Sequence, residues 1–206
     1  MDPRSRSNDA PIEYCGDLNQ FFRETVESVC QRRSYVATSA AEVYIVGLLA
    51  DHAHAAPVNQ ADSDIPLTLA LAKALNAVGN ERFERLRRLG DGVLYNAGFF
   101  AEYLDRRGIE QSYIEELGAR AYATAGRMLV VDRAEQNDVF DELANRFHMF
   151  VALIHDVAET LRVGAARSQR ALVELYESWL RSGSESLAAA LATRGLVPLR
   201  GSGGLQ

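Results

Sequence analysis

The sequence has little cysteine, almost no lysine and no long hydrophobic run. Neither a CxxC pair nor a Cys/His ligand pattern accompanies its two cysteines, Cys15 and Cys30, so neither a disulfide framework nor a zinc site is indicated. The longest apolar stretch, residues 43–50, is far shorter than the ~20 residues that span a bilayer. The N-terminus lacks the apolar core of a signal peptide. We therefore predict a cytoplasmic protein with reduced thiols.

Positive charge is also in short supply. The 206 residues include 22 lysines plus arginines, of which only Lys73 is a lysine, against 28 aspartates plus glutamates, for a net charge of −6. Binding to nucleic acid or to an anionic membrane requires a positive field, so we predict neither as a partner. With 48% hydrophobic residues, the chain has the composition of an ordinary folded domain, and its length fits a single one.

Known catalytic and cofactor motifs are absent as well. The sequence contains no G-x-S-x-G nucleophile elbow, no Walker A motif and no G-x-G-x-x-G fingerprint. A di-iron helical bundle needs Glu-x-x-His pairs on two helices, and the chain has none. We therefore predict no catalytic residue, no cofactor and no metal, and the sequence favours a protein that is not an enzyme.

Helical periodicity is what the sequence does have. Apolar residues recur at every third or fourth position along most of the chain, and no segment of four to eight residues alternates convincingly as a strand. Two S-x-x-E capping boxes, Ser39 with Glu42 and Ser112 with Glu115, indicate where helices begin. Ser184 is expected to begin a further short, alanine-rich helix.

One apolar stripe, residues 83–104, is interrupted by glycines. Gly90, Gly92 and Gly98 each cost about 1 kcal/mol relative to alanine inside a helix. Either close contact with a neighbouring helix or a break in the helix must offset that cost. We expect a broken or kinked pair of helices near Gly90–Gly92, with Asp91 capping the second one.

The strongest helical pattern covers residues 140–161 and spans six turns, or about 33 Å. Gly164 is expected to end this helix, which we predict to be the central element of the fold. The pattern as a whole predicts an all-α protein with one antiparallel, bundle-like domain of seven to eight helices over residues 14–195. A flexible arm, residues 1–13, would precede it and a flexible tail, residues 196–206, would follow.

Aromatic side chains are concentrated just beyond the glycines. Phe99 and Phe100 are adjacent, so at most one of them points centrally into a buried face. Core packing accounts for such a cluster, and the alternative is a small apolar pocket or an exposed interface patch. The residues that would wall such a pocket or supply its polar groups are Phe99, Phe100, Tyr103, Tyr122, Asp91 and His148.

Two histidines share one flank of the long helix. His148 and His155 are seven residues apart, and Glu159 lies four residues further along the same flank. The three side chains spread over roughly 16 Å of helix, so one metal ion could not touch all of them. We keep His148 and His155 as candidate interaction residues and predict no metal site.

One segment carries a resemblance to known sequences. The stretch LGDGVLYNAGFFAEYL, residues 89–104, followed by YIEELGARAY, residues 113–122, resembles a pattern in a family of bacterial hypothetical proteins. The similarity covers roughly residues 40–125. It implies a bacterial, soluble protein and implies no activity, cofactor or catalytic residue.

Two classes of function remain open. The first is a non-enzymatic regulatory or accessory protein that acts through a protein partner, which includes a second copy of itself. Missing catalytic motifs and abundant amphipathic helix favour this class. The second is a helical-bundle enzyme or small-ligand-binding protein with an aromatic pocket around Phe99, Phe100 and Tyr122, a hypothesis motivated by costly glycines beside clustered aromatics.

Overall fold

The computed structural model describes residues 18–54, 66–101, 104, 108, 110–129, 134–165 and 169–196. These residues contain nine helices and no strand, which confirms the predicted all-α class. The helices are α1 (Leu18–Arg33), α2 (Ser39–His54), α3 (Leu67–Asn76), α4 (Gly79–Phe99), α5 (Gln111–Leu129), α6 (Ala134–Asn145), α7 (Phe147–Ala165), α8 (Gln169–Ser182) and α9 (Glu185–Ala192). The predicted arm, most of the predicted tail, Cys15 and Tyr103 lie outside the described residues.

Helix α7 lies at the centre of the molecule, as predicted for this part of the chain. It packs against α4 and α1, while α4 also packs against α5 and α3. The side chains of Phe150, Leu153, Ile154 and Val157 are completely buried. These positions follow the three- and four-residue spacing of the sequence, which is why the stripe coincides with the core.

The predicted six-turn helix is wrong in one respect, because it is divided at Arg146 into α6 and α7. The interruption is a single residue. The Arg146 N–H still donates to the Glu142 carbonyl at 3.0 Å, and Phe150 donates to the Arg146 carbonyl at 3.2 Å. The two halves pack mainly on different neighbours, α6 on α5 and α7 on α4.

The break predicted near Gly90–Gly92 is absent, since α4 continues from Gly79 to Phe99. Close contact is the explanation for two of its glycines. A Cβ atom at Gly90 would lie 2.7 Å from the Tyr122 ring, and one at Gly98 would lie 2.6 Å from the Ile154 side chain. The missing side chains therefore let α5 and α7 approach the α4 backbone.

The predicted capping boxes need correction by one or two residues. Thr38, which precedes Ser39, accepts the Ala41 N–H on its hydroxyl at 3.2 Å and so caps α2. Ser112 lies inside α5 and donates to Glu110 at 2.8 Å. The prediction for Ser184 is confirmed, because its side chain accepts the Leu187 N–H and caps α9.

Two parts of the molecule have separate hydrophobic clusters. We call α1–α7 the body, whose main cluster centres on α7. We call α8 and α9 the hairpin, since only Gly183 and Ser184 join them. The hairpin has its own small cluster, built from Leu175, Trp179, Leu187, Ala190 and Leu191. None of the helices in the described ranges combines the length and apolar composition that a membrane span requires.

Candidate functional site

A groove of about 480 Å³ lies between the body and the hairpin. One face of α7 contributes His148, Val151, Ala152, His155 and Asp156 to it, at positions spaced by three, four, seven and eight residues. The other lining residues come from four separate parts of the fold, and they are Tyr35, Ala97, Ala101, Gln111, Arg181 and Ser182. The groove therefore combines small apolar side chains with several hydrogen-bonding groups.

The Asp156 carboxylate is held on the groove by α1 and the segment that follows it. The Tyr35 hydroxyl donates to one oxygen at 2.9 Å, and the Arg33 guanidinium lies 3.1 Å from the other. Burial, together with the hydrogen bond to Asp156, raises the pKa of Tyr35 to about 12. Tyr35 therefore keeps its proton near neutral pH and acts as a donor, while Arg33 balances the charge of Asp156.

His155 connects the groove to a buried carboxylate. Its Nε2 lies 3.5 Å from a Glu159 oxygen, and this contact raises the pKa of His155. Its Nδ1 is buried and has no hydrogen-bond partner. A protonated imidazole carries a donor on both nitrogens, so charging His155 leaves the Nδ1 proton unsatisfied in the structure as it stands.

Glu159 is 3% exposed and lies beneath the hairpin. One of its oxygens accepts hydrogen bonds from Ser184, at 2.9 Å, and from Ser186. Burial alone would raise the pKa of this carboxyl group, but the hydrogen bonds from His155, Ser186 and Ser184 outweigh it and lower the pKa to about 2. Glu159 is thus an anion at neutral pH and is held as one by three partners.

His148 occupies an exposed position at the groove. Its side chain is 85% exposed, and its Nδ1 lies 2.9 Å from a carboxylate oxygen of Glu115 on α5. Glu115 was predicted to serve in a capping box, and in the structure its carboxylate instead contacts His148, which lines the groove. Because the pair faces solvent on the histidine side, it is weakly held and available to a ligand.

Asp91 belongs to a different, internal network. Its carboxylate accepts hydrogen bonds from Tyr44 at 2.6 Å, Tyr122 at 2.7 Å and Arg87 at 3.0 Å. Burial raises the pKa of Asp91 although all three bonds oppose it. The prediction that Asp91 caps a helix is therefore wrong. Asp91 lies in the middle of α4, and its carboxylate ties α4 to α2 and α5.

The structure does not assemble the predicted aromatic pocket. Tyr122 is completely buried and contacts the rings of Tyr44, Phe140 and Phe147. Phe99 and Phe100 instead contact Tyr95, which also stacks on His52 at 4.0 Å. The two groups point to different neighbours because α4 presents Gly90 and Asp91 towards Tyr122 a full two turns before Phe99. Neither group lines the groove.

Hydroxyl groups around the groove are already bonded to carboxylates, Tyr35 to Asp156 and two serines to Glu159. Ser184 and Ser186 donate to Glu159, so neither makes the bond to a histidine base that activates a nucleophile. Among the described residues no three His, Cys, Asp or Glu side chains are grouped closely enough to hold a metal ion. The nitrogen-bearing side chains that line the groove are Gln111, His148 and Arg181, whereas the one Tyr35 proton there is already donated to Asp156.

The sequence predicts only part of this groove. The seven-residue spacing placed His148 and His155 on one flank, and both line the groove. Asp156 was missed because its partners Tyr35 and Arg33 lie more than 120 residues away along the chain. Arg181 was missed because only the packing of the hairpin on α7 brings it there.

Comparison with known proteins adds nothing to this geometry. No protein-family model matches the chain, no curated protein matches it, and no solved structure resembles it significantly.

Proposed function

We propose that the protein is a helical binding protein whose groove takes a small organic acid. The observation that carries the proposal is the groove of about 480 Å³, lined by polar side chains from both body and hairpin over the small residues Ala97, Ala101 and Ala152. Pockets for small ligands have volumes of roughly 300–1,000 Å³ and combine an apolar lining with a few convergent polar groups.

The charge distribution favours an acid over an amine. Asp156, the carboxylate that lines the groove, already has a basic partner in Arg33, and the nearby Glu115 and Glu159 are paired with His148 and His155. Arg181 donates to the neutral Ser178 hydroxyl at 3.2 Å. Arg181 lines the groove, so a carboxylate ligand there would accept hydrogen bonds from its guanidinium, and hydrogen bonds to charged groups are worth about 1.5–3 kcal/mol.

Thermal unfolding of the full chain with a ligand panel tests the proposal. Succinate, glutarate and benzoate represent acids, with succinamide and 1,4-diaminobutane as neutral and basic counterparts. A ligand present at 100 times its Kd stabilises the folded state by about 2.7 kcal/mol, which raises the Tm of a chain this size by about 5–10 °C. The proposal fails if no acid raises the Tm, or if the diamine raises it equally.

A matched pair of variants locates the binding site. Arg181→Gln should weaken binding of a positive acid by about tenfold or more, since it removes one charge-assisted hydrogen bond. Arg85→Gln removes an arginine from the exposed part of α4, twelve residues before Ala97 and about 18 Å away along the helix. Arg85→Gln should leave the Kd unchanged, and equal weakening by both variants would place the ligand elsewhere.

Action through a protein partner is the second candidate, and one surface supports it. Val173 and Leu180 on α8 are 55% and 45% exposed, and their seven-residue spacing puts them on one face of the helix. This face could meet the same face of a second copy. The mass in solution distinguishes the candidates, because a strict monomer whose Tm responds to acids supports ligand binding, whereas a dimer dissociated by Leu180→Glu supports the interface.

A further inference from the structure

We propose that Glu159 acts as a latch for the hairpin: its bonds to Ser184 and Ser186 hold α8 and α9 against α7, and this docking completes the groove. The inference rests on the proposed function only for the groove's role in ligand binding. The docking itself follows from the contacts of Glu159 and from the separate core of the hairpin.

The first support is the independence of the hairpin core. Trp179, Leu187 and Leu191 pack with one another rather than with the main cluster of the body. Val163 of α7 is partly buried against this hairpin cluster. A unit with its own small core and a narrow contact to its neighbour can separate from that neighbour without unfolding it.

The second support is the chemistry of the contact. The apolar junction contains a buried carboxylate, and that carboxylate uses one oxygen for two hydroxyl donors of the hairpin and the other for His155. The Arg194 guanidinium also donates to the Val163 carbonyl at 2.6 Å. Hydrogen bonds to an ionised carboxylate are roughly twice as strong as those between neutral groups, so the two serine bonds favour the docked arrangement as long as Glu159 stays ionised.

The third support is the position of His155. This residue lines the groove on one side of α7 and contacts Glu159 through Nε2. The hairpin supplies Arg181 and Ser182 to the same groove, immediately before the turn that carries Ser184. Undocking would therefore remove two lining residues and uncover His155, and a ligand that needs the complete groove would stabilise docking in return.

The test measures hairpin opening in the full chain without any ligand. Glu159→Gln should accelerate amide hydrogen exchange by about tenfold or more in peptides covering residues 169–192, with α2, α4 and α5 unchanged. Ser186→Ala, a milder variant that keeps Glu159 and His155 together, should give a smaller increase in the same peptides. Tyr44→Phe is the matched control, because it removes one hydroxyl donor from Asp91 in the body.

A second readout follows the uncovering of the groove. Diethyl pyrocarbonate should label His155 several times faster in Ser186→Ala than in the wild type. His148, already 85% exposed, should be labelled at the same rate in both and serves as an internal reference. Tyr44→Phe should change neither rate.

The outcomes separate the two proposals. Unchanged exchange in residues 169–192, or an increase spread over all helices, would overturn the latch whatever the ligand panel shows. If exchange is faster only in the hairpin and no acid raises the Tm, the latch is supported and the organic-acid proposal is contradicted.

Discussion

The interior of the body and its junction with the hairpin each hold a buried carboxylate, and the two carboxylates are held in opposite ways. Asp91 in the body accepts bonds from Tyr44, Tyr122 and Arg87, and burial still raises its pKa. Glu159 beneath the hairpin has its pKa lowered to about 2, because its hydrogen bonds outweigh the effect of burial. The negative charge is therefore costly at Asp91 and well compensated at Glu159.

The difference also concerns what each carboxylate joins. Asp91 connects three helices of one continuous core, α2, α4 and α5. Glu159 connects the core to a small appended unit through hydroxyl groups near one turn. We infer that damage at Asp91 lowers the stability of the whole body, whereas damage at Glu159 releases the hairpin alone. The four predictions below test this contrast, from the largest expected effect to the smallest.

Asp91→Ala should destabilise the protein by about 3–5 kcal/mol. The substitution leaves the buried hydroxyl of Tyr122, the hydroxyl of Tyr44 and one Arg87 N–H without their acceptor. Urea unfolding followed by circular dichroism at 222 nm measures the loss. Tyr122→Phe, which removes only one donor, should cost about 1–2 kcal/mol. A loss below 1 kcal/mol for Asp91→Ala would show that the network does not hold the body together.

Acid should open the hairpin before it unfolds the body. The pKa of Glu159 is lowered from 4.5 to about 2, so its contribution is complete above pH 4.5 and is lost as the pH falls towards 2, on the order of 3 kcal/mol in all. The pKa of Asp91 is raised above 3.8, so the folded body binds this proton more readily than the unfolded chain and Asp91 resists acid unfolding.

The single tryptophan allows the two regions to be measured separately. Trp179 lies in the hairpin cluster and is 6% exposed. Its emission should shift to longer wavelength between pH 4.5 and 2 while ellipticity at 222 nm is still largely retained. In Glu159→Gln that acid-induced shift should disappear, because the titrating group is gone. Coincident fluorescence and ellipticity transitions in the wild type would contradict separate opening.

Two glycines of α4 should respond to alanine with opposite signs. A methyl group at Gly98 would meet the Ile154 side chain at 2.6 Å, while one at Gly92 would meet nothing within 4 Å. Overpacking costs about 1–3 kcal/mol, and alanine recovers up to about 1 kcal/mol of helix propensity. Gly98→Ala should therefore lose about 1–2 kcal/mol and Gly92→Ala should gain about 0.5–1 kcal/mol. Losses of equal size in urea unfolding would mean that α4 is not closely packed at Gly98.

The glycines of α4 show what the sequence can and cannot predict about the fold. Apolar spacing was enough to predict the all-α class and the central position of α7, because each helix buries its own stripe. The spacing could not tell a break from a close approach, since the groups that fill the space at Gly90 and Gly98 are Tyr122 and Ile154 of other helices. The spacing of apolar residues therefore predicts where helices form but not which helices pack against one another.

The groove shows the same limit more strongly. A spacing of seven placed His148 and His155 together because both lie on one helix. The residues that complete the groove, such as Tyr35, Gln111 and Arg181, come from three other parts of the chain. Only tertiary packing brings them together, and no motif marks them in the sequence.

Neighbouring arginines on α4 provide the smallest test, at the outer edge of the Asp91 network. Arg85 pairs with Glu81 at 2.6 Å, but the two side chains are 50% and 61% exposed, and such pairs are worth about 0.5 kcal/mol or less. Arg87 bonds to Glu84 and to Asp91, so Arg87→Gln weakens the compensation of a largely buried charge. We expect Arg85→Gln to change the free energy of unfolding by less than about 0.5 kcal/mol and Arg87→Gln to cost about 1–2 kcal/mol.

Raising the salt concentration to 1 M should erase the Arg85 effect, because an exposed pair is screened at that ionic strength, and leave most of the Arg87 effect in place. If the two variants proved equal in urea unfolding, the charge of Asp91 would be compensated by its tyrosines alone, and the contrast with the cation-assisted Glu159 would become sharper.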